Sequence, residues 1–251
     1  MKNVRMTICL IAAVLVMATS QGFGVTEFKD GGTHNISSTI NDAVWVDYQA
    51  PGMQTTVNLL NGGNINSFEG FNDSRINIFG GTAGYSIYAD DDCQATMFGG
   101  TVDYFVAENS SHITMSGGTV VKSLYAYGNS QLTFSGGIVE NGYLFVYQNC
   151  QAEMSGGMVA GFLEVGDSAT LIIDGSNFAI DGTPLSFGKI TSILGGNYEN
   201  ETVRRLTGTL ANGDIINNYF QIGNTASIVL IPEPATLLLL GLGAAMLRRK
   251  R

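Results

Sequence analysis

The sequence predicts an all-β chain whose body is a single-stranded parallel β-solenoid with β caps at both ends, flanked by a short apolar helix at each terminus. Three observations predict it. A glycine pair returns every 18 to 20 residues, a small-residue marker keeps step with it, and the residues between alternate apolar and polar with no helix-period run.

At the N-terminal end, Lys2 and Arg5 precede an apolar stretch from Ile8 to Ala18, followed by small and polar residues up to Val25. That layout predicts a secretory signal peptide over 1–24, cut between Ser20 and Val25. Cys9 lies inside the apolar stretch and leaves with it. Residues 25–56, which hold the lone Trp45 and no repeat, are the expected N-terminal cap.

The repeats occupy 57–175. The first glycines of the pairs 62–63, 80–81, 99–100, 117–118, 136–137 and 156–157 are 18, 19, 18, 19 and 20 residues apart, and Asp174-Gly175 continues the series. The markers Ser74, Cys93, Ser111, Ser130, Cys150 and Ser168 drift with them. After each marker the second and fourth residues are apolar in most units, as in Ile76/Ile78 and Leu132/Phe134, which is a strand with one buried face. The glycines then permit a corner, and Ala83, Val102, Val120, Val139 and Val159 share the next register. Stacked coils of this length bury their apolar faces only against neighbours, so both ends need caps. Six or seven coils make a column roughly 30 Å long.

The stretch before each marker has two registers. Six and four residues back lie Phe68/Gly70, Ile87/Ala89, Phe105/Ala107, Leu124/Ala126, Leu144/Val146 and Phe162/Glu164. The alternate set contains Glu69, Asp90 and Glu108, and burying three unpaired carboxylates costs more than burying one. The first set is therefore expected inside, with a one-residue slip in the last coil that would release Glu164.

Residues 176–231, where the period fails, are the expected C-terminal β cap, and "LTGTLANGDIINNYFQI" reads as a hairpin over that end. The tail, 232–251, runs Pro232-Glu233-Pro234, a thirteen-residue apolar stretch from Ala235 to Leu247, then Arg248, Arg249, Lys250 and Arg251. As a helix that stretch is about 20 Å long against a hydrocarbon core of roughly 30 Å, a marginal anchor. The four cations would hold its end at the cytoplasmic face.

Triplet, short helix and basic end in that order resemble the PEP-CTERM sorting signal of exopolysaccharide-producing Gram-negative bacteria. The resemblance implies export, a precursor held transiently in the inner membrane, recognition by an exosortase, removal of the tail near the triplet, and delivery to the cell envelope or extracellular matrix. The glycine-cornered coils also broadly resemble the repeats of bacterial autotransporter adhesins.

Without 1–24 and 232–251 the chain keeps 20 acidic residues against six basic ones, a formal charge near −14. Nucleic acid and anionic membrane surfaces are thereby disfavoured as partners. Cations, neutral glycans and other matrix components remain.

The chosen register turns Tyr88, Tyr125, Tyr127, Phe145 and Tyr147 outward as an aromatic stripe. It reads either as a sugar-gripping face or as a ladder that only stiffens the sheet. Asp73 and Asp92 hold the same position in consecutive coils, with Asp90 and Asp91 adjoining. Such a group suits a calcium site, a retaining glycosidase pair, or a solvated turn. The six coils contain only Arg75 and Lys122 as cations, which argues against catalysis. His34 and His112 lack metal-ligand spacing, and no other cofactor pattern is present. Cys93 and Cys150 sit three coils apart at one position, too far for a disulfide. The sequence thus predicts a non-enzymatic structural or adhesive protein, with a β-helical polysaccharide lyase or glycoside hydrolase as the alternative.

Overall fold

The computed structural model describes residues 24–191, 196–197, 202–223 and 225–233. The signal helix, the sorting helix and the residues Pro234, Arg248, Arg249, Lys250 and Arg251 lie outside the described residues. Those described form 21 strands, from Val25–Phe28 to Ser227–Pro232, and no helix.

The chain winds as a parallel β-solenoid with three faces. On the first, nine strands stack from Thr33–Ile36 to Ser227–Pro232, each paired in parallel with the next coil. Their inward positions form two columns, among them Ile76, Ile113 and Leu171, and Ile78, Met115 and Phe134, all 2% exposed or less. Their outward positions repeat too: Asn77 donates to Asn58 (2.9 Å) and Asn58 to Asn35 (2.8 Å). The second face aligns Val102 with Val120, Val120 with Val139 and Val139 with Val159. The third stacks nine strands from Val25–Phe28 to Ile215–Ile222, with Phe68, Ile87, Phe105, Leu124 and Leu144 in one buried column. The inward register expected from carboxylate burial is the one found.

Coil length is set by two left-handed positions. One is the corner glycine: Gly81, Gly100, Gly118, Gly137 and Gly157 have φ between 75° and 94°. In the earliest pair it is Gly62, the first glycine, that is left-handed (φ 86°). The other is the turn before the buried marker, where Asn72, Asp91, Asn109, Gly128, Gln148 and Asp167 have φ from 52° to 71°. Asn, Asp and Gly tolerate this conformation best. Each turn also bonds to the next. The amides of Asn72 and Gln148 donate to the carboxylates of Asp91 and Asp167 (both 3.2 Å), and that of Gly128 to Gln148 Oε1 (2.6 Å).

Two expectations need correction in the last coil. The marker there is Ala169, buried at 0%, and Ser168 is exposed. The one-residue slip expected there is found, with Leu163 and Val165 inward in place of Phe162 and Glu164. The slip keeps the Glu164 carboxylate out of the core. Asp174-Gly175 makes no corner. The strand Thr170–Ile180 runs through it and pairs antiparallel with Arg204–Leu210, Gly175 opposite Leu210. A Cβ on Gly175 would collide with the Thr209 carbonyl oxygen, so this glycine serves close strand approach.

The predicted hairpin forms between Arg204–Leu210 and Ile215–Ile222. Its second strand also adds in parallel to Leu163–Val165, and Ser227–Pro232, the last of the described strands, lies beside Thr170–Ile180. At the opposite end Phe28 and His34 lie ring to ring, centroids 4.4 Å apart, over the last core residues.

Candidate functional site

Outward positions of the third face form the column Trp45, Glu69, Tyr88, Val106, Tyr125, Phe145 and Glu164. The neighbouring column carries Phe71, Asp90, Glu108, Tyr127, Tyr147 and Gly166, as the amide bonds to the preceding coil show. Four of the five predicted aromatics come together here: Tyr125 lies 4.8 Å from Phe145, Tyr125 is 5.6 Å from Tyr127, and Tyr127 is 6.0 Å from Tyr147. Tyr88 does not join them, because Val106 occupies the intervening rung. Its hydroxyl instead donates to Glu108, and burial together with that carboxylate pushes the phenol pKa upward.

Sequence reasoning missed half of the patch. Tyr104, Tyr143, Phe162 and Tyr219 extend it to eight contiguous rings. Tyr143 and Tyr219 are 41% and 50% exposed. Tyr104 was legible as the outward neighbour of inward Phe105. Tyr219 was not, since it arrives from the C-terminal hairpin with no local signal.

Ring orientation limits what this face can do. Tyr125 and Phe145 are parallel within 5°, with centres one strand spacing apart. Rings that close overlap face on face, because side by side in one plane they would need more room. Their faces thus point along the solenoid axis and their edges outward. Cations sit over rings at both margins: Lys122 Nζ is 4.9 Å from the Tyr104 ring and Arg205 Cζ 5.7 Å from that of Tyr219. The Tyr147 ring fills the space over Gly166, and its hydroxyl donates to Glu164 (2.5 Å). Along the Tyr125–Phe145 ladder the face offers ring edges and polar groups, whereas Tyr143, 41% exposed, stands at 86° to both Phe145 and Phe162.

The acidic turns separate in the same way. Asp73, Asp91 and Asp92, with Asn72, Pro51 and Gly52, line a shallow depression of about 370 Å³. Asp90 is not among them: it accepts from the Asn109 side chain and from the Asp91 amide (2.7 Å). Asp91 is engaged by the Asn72 amide, and Asp73 Oδ1 is buried without a partner. Among the described residues no group of three or more His, Cys, Asp or Glu is arranged to hold a metal ion. His34 bonds to Asp30 (2.9 Å) and His112 to Gln131 (3.2 Å). Burial, the largest influence on Glu69, raises that carboxyl's pKa.

Cys93 and Cys150 are free, buried thiols in the marker column. Burial favours the neutral thiol, raising their pKa values to about 12 and about 11. Neither is expected to react with a thiol reagent in the folded protein near pH 8, and both are expected to react in denaturant. Intact mass before and after unfolding checks this, and an intrachain disulfide would contradict the stacking.

Among the described residues no helix is long and apolar enough to cross a membrane. No curated protein and no solved structure matches the chain. Residues 230–251 carry the PEP-CTERM protein-sorting motif, which implies an exported protein processed by an exosortase from a membrane-anchored precursor.

Proposed function

We propose that this chain is a non-catalytic structural or adhesive element of the cell envelope or extracellular matrix, and that its solenoid contacts exopolysaccharide along the aromatic face. In this reading 1–24 leave as a signal peptide and 232–251 as the sorting tail. The observation that carries it is the run of eight contiguous rings on one side of an exported column. Apolar patches of that extent on a secreted domain signify contact with another surface. Because the stacked rings of the ladder present edges, each of their contacts with a sugar is weak, and retention comes from many rungs meeting one polymer.

The test is retention on the producer's own exopolysaccharide. Tyr125→Ala with Tyr147→Ala is expected to lower retention by about tenfold while the polymer stays intact. Unchanged retention would eliminate the aromatic face. New reducing ends or unsaturated products would replace the structural reading with the lyase or hydrolase one.

A further inference from the structure

The sorting motif begins inside the fold. It starts at residue 230, whereas the last of the described strands runs from Ser227 to Pro232. Leu230, 1% exposed, lies between Ile173 on the parallel side and Gly188 on the antiparallel side. Beyond it the cover is one-sided: Ile231 and Pro232 pair with Asp174 and Gly175, and the strand Gly188–Ile190 reaches no further than Leu230. Glu233 follows at once, so no spacer separates the body from the Pro232-Glu233-Pro234 triplet.

A protease takes its substrate as an extended segment whose backbone is not already engaged in a sheet, so residues beside the cut bond must first detach. The detaching rung is weakened from within. Asp174 is only 6% exposed, its Oδ1 has no partner, and Glu153 and Glu233 add two more carboxylates around it. An ionised carboxyl held in that way disfavours the docked arrangement. Its pKa is raised, first by burial and then by those two neighbours.

We propose that the last strand of the solenoid gates its own maturation: the triplet becomes accessible to the processing enzyme only when Ile231 and Pro232 leave Asp174 and Gly175. The proposal rests on the exosortase reading of the tail. It makes the maturation rate follow the local opening of one rung rather than the stability of the whole body.

The experiment compares three full-length chains by pulse–chase in an exosortase-bearing host, with hydrogen exchange at the Ile231 amide measured separately on purified protein. Inserting Gly-Ser-Gly-Ser between Ile231 and Pro232 frees the triplet and leaves the strand through Ile231 in place. Tail loss should become about threefold faster or more. Asp174→Asn removes the buried charge, so exchange at Ile231 and tail loss should slow by the same factor, about threefold. Tail loss at the wild-type rate in the spacer chain overturns the gate, as does slowed exchange in Asp174→Asn without slowed maturation. Export of all three chains with the tail intact overturns the exosortase reading as well.

Discussion

Gly118→Ala is expected to destabilise the protein by about 2–4 kcal/mol, read as a fall in the urea midpoint at unchanged slope. Two costs combine. Gly118 has φ 84°, which an alanine adopts only at a cost of about 1–2 kcal/mol. A Cβ there would also stand 2.8 Å from the Gly99 carbonyl carbon and 2.9 Å from the Gly100 oxygen, backbone atoms of the coil below. The Met97 methyl at 2.6 Å can swing away, but those backbone atoms cannot move without parting the stack. Gly213 separates the two costs, because its φ is 94° and nothing lies within 4 Å of its missing Cβ. Gly213→Ala should therefore show only the conformational part, about 1–2 kcal/mol. Equal losses at both positions would mean that the corners of successive coils are not in contact.

The corners explain why so much of the fold was legible. A solenoid repeats the same local chemistry in each coil, so positions that need glycine, a small buried side chain or an apolar residue recur in step. The buried series Thr55, Ser74, Cys93, Ser111, Ser130, Cys150 and Ala169 runs at intervals of 19, 19, 18, 19, 20 and 19. The left-handed corner glycines Gly62, Gly81, Gly100, Gly118, Gly137 and Gly157 run at 19, 19, 18, 19 and 20. Reading failed where one residue imitates another's role. Ser168 looks like a marker beside Ala169, yet only the latter keeps Glu164 out of the core. Asp174-Gly175 looks like a corner, yet an antiparallel strand from 204–210 claims its open side. The hairpin pattern announces that strand, but nothing beside Asp174-Gly175 announces where it docks, since it comes from about thirty residues further along the chain.

The candidate site was legible to the same depth. Tyr125 and Phe145 share a column, so their stacking follows from register alone. Val106 stands in that column too, and it isolates Tyr88 from the other rings. What register does not encode is the side-chain torsion, and that decides whether a stacked ring shows its face or its edge. The same holds for Asp90, whose position adjoins the other turn acids but whose carboxylate turns toward Asn109 and the Asp91 amide.

Phe105→Ala is the complementary lesion, made in the lumen. Phe105 is fully buried in the column between Ile87 and Leu124, and its truncation is expected to cost about 3–5 kcal/mol, the lost transfer energy plus the cavity left behind. In a globular core the loss would be shared by the whole molecule. Here each coil is held only by the coils above and below, so a weakened central interface divides the column into two shorter stacks. Hydrogen exchange should accelerate on both sides of Phe105, and the urea transition should broaden. Phe28→Ala removes a ring from the N-terminal end, where it is only partly buried. That change should cost about 1–2 kcal/mol and loosen the first coil alone. A Phe105→Ala effect confined to its own coil, with the transition still sharp, would show that stability is not transmitted from rung to rung. The column would then lack the stiffness that the proposed structural role requires.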